Sequence, residues 1–167
     1  MNWKISVLSV FFLSSVACSL HAADNVPHVE GMQIQAVAHP YAEPEAATAA
    51  VEHAFEIARQ TGRRVLIDYG ANWCPDCRIL AGVLESPEVK PWVEKNFVLA
   101  KVNVDRFNQN MDLAKKYGIQ IKQIPVLLVV TPDGKVLNPE ATLELGSARS
   151  MTAQEIVDRL ALWNSRS

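Results

Sequence analysis

The chain is short of cysteine, of basic clusters and of long hydrophobic runs, and each shortage excludes a class of protein. Three cysteines in 167 residues are too few for a disulfide-stabilised scaffold, so stability must come from a hydrophobic core. Sixteen basic and eighteen acidic side chains give a net charge of −2, without the concentrated lysine and arginine that phosphate binding requires. Nucleic acid is therefore not expected as a partner. The length and the 49% of hydrophobic residues predict one globular domain.

The longest uncharged apolar run lies at the N terminus and predicts export. Residues 5–17 follow a single lysine, Lys4, and number 13, fewer than the roughly 20 that a membrane span needs. This length is typical of a signal-peptide core, and small residues offer a cleavage site near Ala22 or Ala23. An uncleaved N-terminal anchor is the alternative. We expect residues 1–23 to be a signal peptide and the protein to be periplasmic.

Cys18 raises a second question about this N-terminal segment. Its context, SSVAC, loosely resembles the lipobox of bacterial lipoproteins, although Ser15 stands where the usual leucine would be. A lipidated Cys18 would tether the domain to a membrane, but we favour a soluble exported protein. In both cases the mature domain keeps only Cys74 and Cys77, in a compartment where disulfides persist.

Hydrophobic periodicity and turn signals divide the rest of the chain into alternating helices and strands. Residues 24–43 are interpreted as a linker or N-terminal extension, with a short strand at 32–38, and residues 44–167 as the folded domain. Helices are predicted at about 45–61, 75–85 with further turns to 96, 109–117, and 152–164, where Thr152 and Glu155 form a capping-box pattern. Strands are predicted at 64–70, 97–105, 125–131, 135–137 and about 142–145. This order indicates an α/β fold, with a central mixed sheet covered by helices on both faces.

The two remaining cysteines lie between a predicted strand and a predicted helix, in the stretch NWCPDCRIL. Cys74 is expected at the N-cap or first turn of a helix that opens with Pro75, where free N–H groups and the helix dipole stabilise a thiolate. Cys77 lies nearly one turn further on, so its sulfur can reach back to Cys74. In a redox cycle Cys74 would attack a disulfide and Cys77 would resolve the mixed disulfide.

Other roles for this cysteine pair are weaker. A disulfide this short restricts the unfolded chain little, so a purely stabilising role is inefficient. Zinc usually takes four ligands, and His28, His39 and His53 form no ligand pattern with the cysteines. A copper(I)-binding module remains an alternative, since thiolates suit that metal, although no methionine or histidine lies near the motif. We expect no cofactor and no bound metal, because two sulfurs suffice for the redox chemistry.

The stretch VLIDYGANWCPDCR resembles the active-site segment of the thioredoxin family, whose general form is DFWAxWCxxCK. KVNVD, IPVLLVV and TPDGKVL resemble later segments of that family, so the resemblance covers about residues 45–163. Residues 62–77 and 85–105 look closest to the periplasmic branch that includes the C-terminal domain of the thiol–disulfide interchange protein. The resemblance implies a thioredoxin fold, and nothing in the sequence indicates more than a monomer.

The resemblance also implies roles for residues outside the cysteine pair. Asp68 corresponds to the buried acid of the family and would act as general base for Cys77, unless it is an ordinary aspartate at a strand end. Pro125 in the cis form would place the backbone of Ile124 beside the sulfurs, where substrate peptide could pair with it. Trp73 would shield the thiols or contact substrate, if it is not simply packed. Lys101 either pairs with Asp68 or is solvated.

Two departures from the family pattern bear on the direction of the reaction and on specificity. Asp76 places a negative charge near the sulfur of Cys74, which opposes the thiolate and predicts a reductase-like couple. The approach to Pro125, GIQIKQIP, is two residues longer than the common form GIRGIP, which alters the predicted substrate groove. The expected partners are disulfide-containing protein substrates and an upstream thiol electron donor. A thiol oxidase or isomerase using the same residues is the alternative.

Overall fold

The computed structural model describes residues 25–167. The predicted signal peptide and Cys18 lie outside the described residues, so cleavage and lipidation stay predictions, as do the domain limits 24–43 and 44–167. Among the residues described, no helix has both the length and the apolar character needed to cross a membrane.

Five helices and three strands follow one another in nearly the predicted order. The helices are α1 Ala47–Thr61, preceded by a 3-10 turn at Pro44–Ala46, α2 Pro75–Leu84, α3 Lys90–Asn96, α4 Met111–Lys115 and α5 Ala153–Asn164. The strands are β1 Arg64–Gly70, β2 Phe97–Asn103 and β3 Val126–Val130. Gly62 ends α1 with φ at 74°, a left-handed conformation that glycine adopts without strain. The capping box of Thr152 and Glu155 at the start of α5 is confirmed.

The three strands form one mixed sheet in the order β2-β1-β3. Strand β1 pairs in parallel with β2 and antiparallel with β3, so it is the central strand. Its alternate side chains enter two cores: Val65, Ile67 and Tyr69 pack with α1, whereas Leu66 packs with α2 and α5. Layers of helix on both faces of the sheet confirm the predicted α/β architecture.

The strands predicted after β3 are wrong, because side chains and turns occupy that edge of the sheet. The return strand at 135–137 is reduced to one bridge, between Val130 and Val136. Beyond it the buried side chain of Asn138 accepts a hydrogen bond from the Val129 N–H at 2.8 Å and donates one to the Leu127 carbonyl at 2.9 Å. Residues 142–147 form turns instead of the strand predicted near 142–145.

The strand predicted at 32–38 is also wrong, because this segment crosses a helix and has no strand beside it. Val37 exchanges two hydrogen bonds with Arg78 on α2, one of them with the guanidinium. A Cβ added to Gly82 would lie only 2.0 Å from the Gln35 carbonyl oxygen, so the missing side chain permits this close crossing. Val29 and Tyr41 are buried in the two cores, so the described part of the extension packs against the domain.

Candidate active site

The two cysteines form a disulfide at the N terminus of α2, with their Cα atoms 5.3 Å apart. Cys74 is the N-cap residue, as predicted, and its sulfur accepts a hydrogen bond from the backbone N–H of Cys77 at 3.2 Å. That N–H and the positive end of the helix stabilise a thiolate at Cys74 when the disulfide is reduced. Cys74 is 3% exposed and Cys77 is fully buried. The geometry therefore favours Cys74 as the sulfur that meets a substrate.

The loop before β3 lies against this disulfide. The peptide bond between Ile124 and Pro125 is cis, as the resemblance implies. The carbonyl oxygen of Ile124 lies 3.7 Å from the sulfur of Cys74. The backbone of Ile124 therefore lies beside the Cys74 sulfur, as predicted. That a substrate peptide pairs with this backbone stays a prediction.

Trp73 lies on the rim of the site and is 45% exposed. Its indole N–H donates to the carbonyl of Asp105 at 2.8 Å, and its ring meets that of Phe107 edge-on, with centroids 6.0 Å apart. Phe107 is itself 38% exposed and was not singled out in the sequence. The two rings form an exposed apolar surface next to Cys74, of the kind that contacts a protein substrate.

Asp68 is fully buried on β1, on the same sheet face as Leu66. Burial raises the pKa of its carboxyl group to about 6. Lys101, directly opposite on β2, and a hydrogen bond from the Tyr41 hydroxyl both oppose this rise, whereas Glu85 adds to it. A carboxyl group with this pKa changes protonation near neutral pH, as a general base requires.

Two charged residues have partners that the sequence did not indicate. Asp76, expected to act on the Cys74 sulfur, accepts a hydrogen bond from the Arg149 N–H at 2.9 Å and pairs with its guanidinium at 3.2 Å. The cation offsets part of the negative charge that was expected to oppose the thiolate. Lys101 makes its ion pair with Glu85, so it acts on Asp68 through space and not as its direct partner.

Tyr41 is a buried residue of the site that sequence reasoning missed. It lies in the segment before α1, and its hydroxyl donates to the Asp68 carboxylate, 2.9 Å from each carboxylate oxygen. Burial and the neighbouring carboxylate raise the pKa of Tyr41 well above its usual value of 10, so the phenol remains a hydrogen-bond donor. The one available signal was Gly70, which stands where the general family form has a tryptophan.

The site holds no third ligand of the kind that metals use beside the two sulfurs. Within residues 25–167, no three histidine, cysteine, aspartate or glutamate side chains come together as a metal site. The Asp68 carboxylate accepts a hydrogen bond from Tyr41, and the two sulfurs are bonded to each other, so these groups already have partners.

Comparison with known proteins identifies the family. A thioredoxin-like family profile matches residues 46–132, more than half of the chain, so the chain belongs to the thioredoxin-like family. A disulphide isomerase from Xylella fastidiosa Temecula1 has a similar structure, with 36% identity and a TM-score of 0.70, covering 76% of this chain and 98% of that one. The resemblance predicted from the sequence is confirmed.

Two further relatives match a smaller part of the chain. The DsbD C-terminal domain of Neisseria meningitidis in the reduced form is 29% identical, with a TM-score of 0.44, over 55% of this chain and 80% of that one. A thioredoxin of Buchnera aphidicola is 36% identical over 70 residues, which are 42% of this chain and 58% of that protein. The chain thus spans less than two thirds of the length of this thioredoxin.

Proposed function

We propose that this protein is an exported thiol–disulfide oxidoreductase that reduces disulfides in other proteins. The observation that carries the proposal is the Cys74–Cys77 disulfide at the start of α2, with the Ile124 carbonyl against one sulfur. The buried Asp68 is joined to this site by the Tyr41 hydroxyl, which lies beside the Cys77 sulfur. This arrangement provides an attacking sulfur, a resolving sulfur and a base. Membership of the thioredoxin-like family supports the same chemistry.

The reaction follows from the positions of the two sulfurs. The Cys74 thiolate attacks a substrate disulfide, forms a mixed disulfide and releases one substrate thiolate. Asp68 takes the proton of the Cys77 thiol, and the Cys77 thiolate attacks the Cys74 sulfur, which releases the second substrate thiolate. The substrate gains two electrons and leaves as two thiolates, which take one proton from Asp68 and one from water. The protein ends as the Cys74–Cys77 disulfide with Asp68 ionised again. A thiol electron donor of the same compartment then reduces this disulfide again.

The reductive direction is supported by the acidic groups around the pair. Asp76 lies in the first turn of α2, and the buried Asp68 binds the Tyr41 hydroxyl that lies beside the Cys77 sulfur. Negative charge at this end of the helix disfavours the Cys74 thiolate. A less stabilised thiolate makes the dithiol a better reductant.

A periplasmic location is the further part of the proposal, and it rests on the N-terminal sequence. The apolar run at 5–17 and the small residues after it favour cleavage near Ala22 or Ala23, with lipidation at Cys18 as the variant that would tether the domain to a membrane. The N-terminal sequence and mass of the protein recovered from an envelope fraction distinguish the two. An intact Met1 in a cytoplasmic fraction would contradict export.

Catalysed turnover tests the proposed activity. With dithiothreitol as donor, the full chain should accelerate the reduction of a disulfide-containing protein such as insulin, and Cys74→Ser should abolish the acceleration because it removes the attacking sulfur. The same substitution at Cys18 is the matched control and should keep full activity. Equal rates for the Cys74→Ser variant and the unaltered chain would contradict the proposal.

A further inference from the structure

The hydroxyl of Tyr41 is buried at the centre of the redox site, although this residue belongs to the segment before α1. Its oxygen lies 2.9 Å from both Asp68 carboxylate oxygens, and Tyr41 is only 4% exposed. A phenol has one hydrogen to donate, so the two carboxylate oxygens share it. A hydrogen bond to an ionised acceptor that is shielded from water is among the stronger ones in proteins.

The same hydroxyl lies beside the resolving sulfur. A Cβ built on Gly70 would lie 2.1 Å from the Tyr41 hydroxyl oxygen and 3.0 Å from the Cys77 sulfur. The hydroxyl and the sulfur therefore both border the space beside Gly70. Asp68 lies two residues before Gly70 on β1, so the two residues face the same side of the sheet. A side chain at position 70 would occupy the space that the Tyr41 phenol fills. The absence of a side chain at Gly70 therefore makes room for the Tyr41 ring.

Polar side chains around the site hold the backbone of this segment. The Asn72 side chain accepts from the Tyr41 N–H at 2.9 Å and donates to the Tyr41 carbonyl at 3.0 Å, which fixes both backbone groups of one residue. Asn103, at the end of β2, donates to the Ala42 carbonyl at 2.9 Å. Asn72 directly precedes Trp73, so the loop that carries the first cysteine also fixes Tyr41.

We propose that Tyr41 is a positioning residue of the redox site, whose hydroxyl keeps the Asp68 carboxylate ionised and directed toward Cys77. The segment before α1 is then a working part of the site and not only a linker. This inference rests on the proposed function, because it acts through the proton that Asp68 takes from the Cys77 thiol. The proton moves from sulfur to carboxylate as the Cys77 sulfur attacks Cys74, and Tyr41 remains protonated throughout.

Three neighbouring groups act on the pKa of Asp68, and Tyr41 is the one that contacts the carboxylate directly. Lys101 on β2 favours the carboxylate, but its ammonium group is paired with Glu85 at the end of α2, which acts in the opposite sense. Tyr41 is uncharged and in direct contact with the carboxylate. Removing its hydroxyl should therefore raise the pKa of Asp68 above about 6 and leave less carboxylate at neutral pH.

Titration of the Asp68 carboxyl group in the oxidised full chain tests the proposal without relying on activity. With ¹³C-labelled aspartate followed by NMR, the unaltered chain should titrate near pH 6, and Tyr41→Phe should move this midpoint up by about one pH unit. Tyr69→Phe is the matched control, because it removes a buried hydroxyl that has no hydrogen-bond partner in the described structure. It should leave the midpoint unchanged.

Turnover over a range of pH supplies the second readout. Relative to the unaltered chain, Tyr41→Phe should be slowed about threefold at pH 6.5 and hardly at pH 8.5, where the carboxylate forms without help. Asn72→Ala should cause a smaller change in the same direction, since it releases the Tyr41 backbone but keeps the phenol, and it serves if Tyr41→Phe does not fold.

The outcomes separate the two proposals. If Tyr41→Phe, or Asn72→Ala in its place, matches the unaltered chain in both the Asp68 midpoint and the pH profile, the role of Tyr41 is overturned while the proposed function stands. If the unaltered chain shows no turnover, or Asp68→Asn turns over as fast as the unaltered chain, the proposed mechanism fails and the Tyr41 proposal fails with it. A shifted midpoint together with a rate loss confined to low pH supports both.

Discussion

Cys77→Ala is expected to accumulate mixed disulfides on Cys74 and to lose turnover by more than about 100-fold, because the intramolecular attack that releases the substrate is gone. The attacking sulfur itself is unharmed. The hydrogen bond that Cys74 accepts comes from the backbone N–H of residue 77, which alanine retains. The N terminus of α2 also stays in place to stabilise the thiolate.

Intact mass and non-reducing gels of chains carrying Cys18→Ser measure this effect, since only Cys74 then remains as a thiol. Cys74→Ala is the matched control and should form few adducts, because the remaining sulfur of Cys77 is fully buried. Adducts on Cys77 in the control, with none on Cys74 in the Cys77→Ala variant, would reverse the assigned order of attack.

Asp68→Asn is expected to slow turnover by about 100-fold at pH 7, the usual order of magnitude for loss of a general base. The amide has nearly the shape of the carboxyl group and still accepts from Tyr41, but it cannot take the Cys77 proton. Asp158→Asn removes one exposed carboxylate from α5 and is the control for the change in net charge. Retention of full activity by Asp68→Asn would show that the proton leaves by another route.

The same substitution should make the protein more stable at neutral pH. The pKa of Asp68 is about 6 in the folded chain, above its ordinary value of 3.8, so the folded state favours the protonated acid. The stabilisation from this group is fully present below pH 3.8 and is lost as the pH rises through about 6, at a cost of about 3 kcal/mol. Asparagine carries no charge and avoids that cost. Its unpaired amide hydrogens destabilise the folded state by about 1 kcal/mol, which reduces the net gain.

Urea unfolding between pH 4 and pH 8 measures this difference. Asp68→Asn should be about 2 kcal/mol more stable than the unaltered chain at pH 8 and slightly less stable at pH 4, where the charge cost falls below that of the unpaired amide hydrogens. A variant that is more stable and less active would show that the charge of this acid is retained for the reaction at the expense of the fold. A stability difference independent of pH would contradict the raised pKa.

The parts of the fold that were predictable from the sequence depend on local signals. β1 has its predicted limits, because its apolar run is bounded by Gly62 and by the loop at Ala71. The position of Cys74 at a helix start follows from the adjacent Pro75, and the capping box of α5 from residues three apart. These signals act within a few residues and need no knowledge of the rest of the chain.

The features that the sequence did not reveal depend on contacts distant in sequence. The Tyr41 hydroxyl meets a carboxylate 27 residues away, and Asp76 meets Arg149 across 73 residues. No periodicity marks such pairs. The strand predicted near 142–145 has the right residue types, but the side chain of Asn138 provides hydrogen bonds to part of the β3 edge. A propensity scale contains no information about which groups occupy an edge.

The reduction potential of the Cys74–Cys77 pair tests the central claim most directly. Equilibrating the full chain in graded dithiothreitol or glutathione buffers, then alkylating the free thiols and weighing the protein, gives the fraction reduced at each potential. A reversible two-electron transition near −270 mV, typical of a reductant such as thioredoxin, is the result we predict. A potential near −120 mV would mark an oxidant and contradict the reductive direction, and no reversible transition at all would contradict the redox role itself.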